Sequence, residues 1–165
     1  MPTMTEKDQF LATLERESQT TLKLMRAYPA NRMDFKPAEK SSDAAKLMWT
    51  FVLELQVAQD ALSGAVDFSR TSRPHPTSHA EILKLYEAEV RNALAKVRAA
   101  TEEQATQMVT VPVGPGQMGQ VPTKDFLWMM VMDSVHHRGQ LSVYLRMVGA
   151  KVPSIYGPTA DEPWM

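Results

Sequence analysis

Cysteine is missing altogether from the 165 residues. Its absence excludes a disulfide framework, a thiolate metal site, an iron–sulfur centre and a cysteine nucleophile. It also agrees with a reducing compartment. An excess of one charge sign is missing too. Eighteen basic and nineteen acidic residues leave a net charge of −1, so neither nucleic acid nor an anionic membrane is an expected partner. Long apolar runs are absent. The longest, Phe126 to Met132, is too short to span a bilayer. The opening residues MPTMTEKDQF lack the apolar core of a signal peptide. There is no phosphate loop, no HExxH pair, no Cys/His zinc spacing, no internal repeat and no low-complexity tract. A cytoplasmic protein is expected.

What is present is an ordinary globular balance of 44% apolar and 22% charged residues. The length suits one domain over residues 1–165. A chain of this size buries about two thirds of the surface its unfolded form exposes, and needs no covalent staple. Proline and glycine gather in four places: Tyr28–Pro37, Ser69–Pro76, Val111–Pro122, and everything after Gly149.

Between these breaks lie four long stretches with apolar residues at helical spacing. The predicted helices cover residues 5–27, 42–67, 78–101 and 123–148, with a C-terminal tail at 149–165. Thr5 with Asp8, Ser42 followed by Asp43, and Ser78 with Glu81 read as helix starts. Gly149 reads as a helix stop. The stripe of the fourth segment is Phe126, Met130, Asp133, His137, Leu141, Tyr144, Leu145 and Val148. Met108–Pro112 and Gln120–Pro122 pair as a short hairpin. The predicted fold is an all-α four-helix bundle with long connections. Long breaks at residues 26–40 and 102–122 suit an up-up-down-down order.

The candidate chemistry lies in Asp133-Ser134-Val135-His136-His137-Arg138-Gly139-Gln140-Leu141. Asp133 and His137 are four apart and share a face, and a carboxylate and an imidazole on an apolar stripe require partners. Three readings remain open: a structural pair in which Asp133 accepts a hydrogen bond from His137, a metal site, or acid–base catalysis. His136, about 100° around the helix, is placed at the bundle's edge. Gly139, mid-helix, suggests a close backbone approach. Glu54 interrupts the stripe of the second helix, and Thr50 lies one turn before it. Either Glu54 borders the core beside a lysine or arginine, or Glu54 and Thr50 face Asp133 and His137 across the bundle, as carboxylates and imidazoles do in bundle metal sites. His75 and His79 fall in or beside a turn and are expected in solvent. Trp128, Met129, Met130 and Met132 read as core or dimer contacts rather than a cofactor box. Ser134 has no base partner on its own face.

Three passages resemble the DinB-like family of helical bundles, related to thiol-dependent transferases and maleylpyruvate isomerases. They are Tyr28-Pro29 with Asp34-Phe35-Lys36-Pro37, then His136–Leu141 with Tyr144-Leu145-Arg146, then Val152–Pro158. The resemblance implies an up-down-down-up bundle, a homodimer, and a divalent metal held by three histidines, one from the second helix and two from the fourth. His137 matches the last ligand and Asp133 stands in the place of the preceding one. Thr50 follows Trp49 where the resemblance calls for histidine. Glu54 could complete the set, and its oxygen would shift preference from nickel or copper toward manganese, magnesium or iron. The expected metal sites are therefore His137, Asp133, Glu54 and Thr50, with nickel, zinc or manganese as candidate ions. The implied activity is hydrolysis or thiol transfer on a small molecule, with Tyr144 or Arg138 steering an anionic substrate. The rival is a non-catalytic, stress-associated homodimer without metal.

Overall fold

The computed structural model describes residues 4–165. Five α-helices and one hairpin follow in chain order: α1 (Glu6–Ala27), α2 (Ala44–Leu62), α3 (His79–Ala99), the short α4 (Glu102–Thr106), β1 (Met108–Gly114), β2 (Gln117–Pro122) and α5 (Thr123–Met147). The four-helix bundle expected from the sequence is formed by α1, α2, α3 and α5. None of the helices among the described residues is long and apolar enough to cross a membrane.

Local chemistry sets the ends of these helices. Thr5 and Asp8 form a reciprocal capping box at the start of α1. Ser78 caps α3 by accepting from the Glu81 amide. The start of α2 differs from expectation by one residue. Asp43, not Ser42, is the N-cap, because its carboxylate accepts the Lys46 amide at 2.7 Å. At the C-terminus of α5, Gly149 takes a positive φ of 74°, a conformation that costs residues with a side chain dearly.

Helix α2 stops at Leu62, five residues before the predicted end at 67. Gly64 turns the chain with φ +89°. The last carbonyls of α2 accept from side chains of a distant segment: that of Ala61 from Gln107 Nε2 at 3.2 Å and that of Leu62 from Gln104 Nε2 at 3.3 Å. Residues 63–78 are therefore a connection, with one 3₁₀ turn at Phe68–Ser72. The sixteen residues could reach about 50 Å if extended, enough to run back along the whole bundle.

That run-back decides the topology. Lys7 near the start of α1 donates to the carbonyl of Ala100 after α3, and Arg26 near the end of α1 pairs with Glu87 early in α3. These helices are antiparallel. Lys96 meets Ser63 and Gln56 meets Glu89, so α2 and α3 are parallel neighbours. Thr123 reaches Ala61 and Tyr144 reaches Ser42, so α5 is antiparallel to α2. The order is up-down-down-up, as the resemblance implied. The up-up-down-down reading from connection length is wrong, because it overextended the second helix and missed the long return. Each of α2 and α1 packs against both α3 and α5. The hairpin, in register Met108↔Pro122 to Pro112↔Met118, closes one end through Val109 and Val111 against Val57, Ala61 and Phe126.

The face of α5 that enters the core is rotated from the predicted stripe. Leu127, Val131 and Arg138 are buried beside Phe126, Leu141, Tyr144 and Leu145, while Met130, Asp133, His137 and Val148 are half-buried at its border. Arg138 is only 1% exposed. It donates to Glu17 Oε2 at 2.6 Å and to the Glu17 carbonyl at 3.1 Å, and its guanidinium lies against the Tyr156 ring. Tyr156 also donates to Glu17 Oε2 at 2.5 Å. Burial alone would raise the Glu17 carboxyl, but the hydrogen bonds from Tyr156 and Arg138 hold it below its usual range. Arg138 is thus a buried strut for the tail rather than a substrate-steering cation. Tyr144 is likewise committed, donating to the Ser42 carbonyl at 2.9 Å.

Candidate metal centre

Crossing antiparallel, α2 and α5 bring Glu54 to the border face that carries Asp133 and His137. His137 Nε2 lies 3.7 Å from Glu54 Oε1 and 3.6 Å from Asp133 Oδ1. One ligand atom from each of the three residues lies within 4.8 Å of the others. Three of the four expected ligand residues therefore converge. The fourth, Thr50, lies one turn before Glu54 on α2, and its hydroxyl donates to the Lys46 carbonyl of its own helix at 3.1 Å. Among the described residues, no hydrogen bond joins the Thr50 side chain to the other three.

The structural pairing of Asp133 with His137 is not made as a hydrogen bond, since 3.6 Å is too long. The imidazole is held elsewhere. His137 Nδ1 is 2.9 Å from Gln140 Oε1, and Gln140 Nε2 is 3.2 Å from His136 Nε2. An amide presents one oxygen and one NH₂. This orientation assigns the His137 proton to Nδ1 and leaves the Nε2 lone pair facing the two carboxylates. A ligating histidine is commonly oriented through its other ring nitrogen in this way. Sequence reasoning missed Gln140. The available signal was its place three residues after His137, on the adjoining helical turn.

Glu54 is 6% exposed, and neither of its carboxylate oxygens has a hydrogen-bond partner among the described residues. Burial pushes its pKa up to about 8; the nearby Ser134 opposes this in part and the Asp133 charge adds to it. Asp133 is 47% exposed and marks the open side of the cluster. On its inner side, Glu54 faces a cleft within the bundle lined by Ser18, Thr21, Tyr86, Ser134 and apolar neighbours.

With Glu54 ionised, three acceptor atoms face one another here with no donor between them. The arrangement is repulsive when both carboxylates are ionised, and a divalent cation relieves it. Metal–ligand bonds of about 2.0–2.2 Å place neighbouring ligand atoms roughly 3.0–3.5 Å apart, so the two separations from His137 need to close by only a few tenths of an ångström. The donor set of two carboxylates and one imidazole fits a divalent ion.

The other expected features fall differently. His136 is exposed at the bundle's edge, as predicted. Gly139 has open space where a Cβ would lie, so no segment of its own chain approaches it. His75 and His79 are not free in solvent. His79 Nε2 is 2.8 Å from the Met25 carbonyl, and His75 stacks on Trp49 with ring centroids 6.4 Å apart.

Solved structures share this architecture. A DinB-like protein from Bacillus cereus ATCC 10987 is 21% identical, with a TM-score of 0.73 over 89% of this chain and 95% of its own. YfiT from Bacillus subtilis, described as a probable metal-dependent hydrolase with an unusual four-helix bundle topology, is 14% identical, with a TM-score of 0.69 over 92% of this chain and 94% of its own. A mycothiol-dependent maleylpyruvate isomerase is 12% identical, with a TM-score of 0.59 over 94% of this chain and 68% of its own. At these identities the likeness is one of fold. The profile of the DinB family matches residues 1–164, nearly the whole sequence, and the chain belongs to the DinB family.

Proposed function

We propose that the protein is a metal-dependent enzyme of the DinB family, a hydrolase or thiol transferase acting on a small molecule, with Glu54, Asp133 and His137 as the metal ligands. The observation that carries this reading is the buried Glu54 carboxyl group, unpartnered at both oxygens and aimed at two further acceptor groups. A bound divalent cation would supply Lewis-acid polarisation of an electrophile and a lowered pKa for water or a thiol. YfiT, described as a probable metal-dependent hydrolase, and the mycothiol-dependent isomerase support a metal-assisted reaction and a small-thiol co-reactant respectively.

The chain's own residues have separable roles. Gln140 fixes the His137 tautomer so that Nε2 accepts. Glu54 surrenders a proton when a cation binds, and Ser134 is placed to hydrogen-bond the freed carboxylate. Half-exposed Asp133 borders the side from which substrate enters. Because the chain has no cysteine, a transferred thiol must come from a second small molecule. Two carboxylates with one imidazole favour manganese, iron or zinc over nickel and copper.

The test is elemental analysis of protein purified without added metal, then after supplementation with manganese, iron and zinc separately. About one equivalent per chain is expected for the parent, and a large loss for His137→Ala and Glu54→Gln but not for His136→Ala. Hydrolysis of activated esters, measured against conjugation of a small thiol to an electrophile, then separates the two reaction classes. Absence of metal after supplementation would remove the enzyme reading.

A further inference from the structure

The interior of the bundle is not filled. All four long helices wall a cleft along its axis, with an unfilled space of about 510 Å³, part of it open to solvent. Protein interiors are normally close-packed, and empty space costs stability in proportion to its volume. Yet each long helix turns a small residue to this gap: Ser18 from α1, Ala58 from α2, Ala93 from α3 and Ser134 from α5. Ser18 and Ala93 are only 4% and 2% exposed, so contact with solvent does not explain their small size.

The lining changes along the axis. At one end stand Ser18, Thr21, Tyr86, Ser134 and the unpartnered Glu54; at the other stand Phe10, Leu62, Val97 and Leu127. Because α1 and α5 run against α2 and α3, early residues of one pair are level with late residues of the other. Leu127 to Ser134 spans about 10 Å and Phe10 to Thr21 about 16 Å at the helical rise. Neighbouring helix axes about 8–10 Å apart make the gap between them long and narrow. A second cleft of about 540 Å³ continues beyond the apolar end. Phe10, Leu62, Val97 and Leu127 line both clefts, so the two meet at these side chains, and the outer one ends at exposed Glu6, Lys7 and Glu102.

We propose that the axial cleft holds a straight hydrocarbon chain, and that the small molecule on which the metal centre acts is a neutral acyl or alkyl compound. Its chain lies in the cleft and its reacting group lies beside Glu54. The second half of this statement rests on the enzyme reading; the capacity of the cleft for a chain does not. The size of the space and its mostly apolar lining with a few convergent polar groups match small-molecule sites, which run to roughly 300–1,000 Å³. The shape selects a linear chain over a ring or a branched group. The far end offers no partner to a polar substituent, whereas the near end offers hydroxyls and the one buried carboxyl group that lacks a hydrogen bond. Charge selects a neutral head. Two carboxylates and a divalent cation cancel, and an added anion would face both Glu54 and Asp133.

Calorimetric titration of the chelator-treated full chain with straight-chain butanol, hexanol, octanol and decanol tests the cleft without any turnover. Affinity should rise roughly fourfold per added methylene, and level off once the chain passes Phe10 and Leu127 into the outer cleft. Cyclooctanol, with as many carbons as octanol, should bind at least roughly tenfold more weakly, because a ring does not fit the narrow gap. Ala58→Met and Ala93→Met should each weaken octanol binding by roughly tenfold, since the added side chain displaces about two methylenes of the ligand. Both should keep the helical circular dichroism spectrum and the metal content of the parent. If both variants fail to fold, the chain-length series and the cyclic comparison on the parent decide. Equal affinity from butanol to decanol, cyclooctanol binding as tightly as octanol, or folded variants that bind octanol like the parent would each overturn the proposal. A rising series in a protein that never takes up metal would keep the cleft as a chain-binding site and remove its coupling to a metal centre. Bound metal with a flat series would keep the enzyme reading and remove the chain.

Discussion

A buried carboxyl group with no hydrogen-bond partner is costly in its charged form, and Glu54 shows the consequence. Its pKa is pushed from 4.5 up to about 8, chiefly by burial. In metal-free protein the folded state keeps this proton to about pH 8, while the unfolded state loses it above about pH 4.5. The contribution is fully present below about pH 4.5 and is lost as pH rises toward 8, a loss on the order of 4 kcal/mol. Urea melts of chelator-treated protein should therefore show stability falling from about pH 5 to about pH 8. Glu54→Gln should flatten that slope, because an uncharged amide has no proton to lose. A slope unchanged by the substitution would assign it to other groups. In the presence of metal the same proton is released on binding, so apparent metal affinity should rise with pH over this interval. At this scale the sequence was informative. Glu54, Asp133 and His137 were each conspicuous as polar residues on apolar stripes. Gln140 was not, because a glutamine on a helix surface has no distinguishing feature until its amide is seen between two imidazoles.

At the scale of the element, periodicity located every long helix, and capping chemistry fixed most ends. The errors fell where an end is decided by remote residues. Nothing in the sequence around Leu62 announces a stop stronger than Ser63-Gly64, and the carbonyls there are satisfied by Gln104 and Gln107 from a segment forty residues away. The start of α2 was ambiguous because Ser42 and Asp43 are both good caps. Asp43→Ala should cost about 1 kcal/mol in equilibrium unfolding, and Ser42→Ala much less, since Ser42 contributes its backbone carbonyl to Tyr144. Equal losses for the two substitutions would contradict the observed cap. The rotation of α5 has a similar cause. Arg138 reads as a surface residue on any hydrophobicity pattern, yet it is buried because Glu17 on α1 and Tyr156 on the tail neutralise and bond it.

At the scale of the whole molecule, the tail is part of the fold. Beyond the Tyr156 contact, the Asp161 carboxylate accepts the Val152 amide and pairs with Arg146, and Glu162 accepts the Ser154 amide and pairs with Lys23. Those two ion pairs are largely exposed and contribute little. The larger part is the cover over Arg138 and Glu17. A chain ending at Lys151 should lose about 2–4 kcal/mol, because the buried pair loses a partner and becomes partly solvated. Thermal melts should fall by roughly 2–4 °C for each kcal/mol lost in a protein of this size. A truncated chain with the parent's melting temperature would show that the tail is dispensable.

Local chemistry, readable from the residues themselves, determined that this is an all-helical bundle and where its long helices lie, and it singled out Glu54, Asp133 and His137 as candidates for one polar cluster. Helical periodicity and N-capping act within a turn or two of the chain, so they survive without knowledge of neighbours. Tertiary structure alone decided that α2 and α3 run parallel, that Arg138 rather than Asp133 enters the core, that Thr50 turns its hydroxyl to its own helix, and that Gln140 aims His137. Each depends on groups distant in sequence, whose energies appear only when packing brings them within a few ångströms.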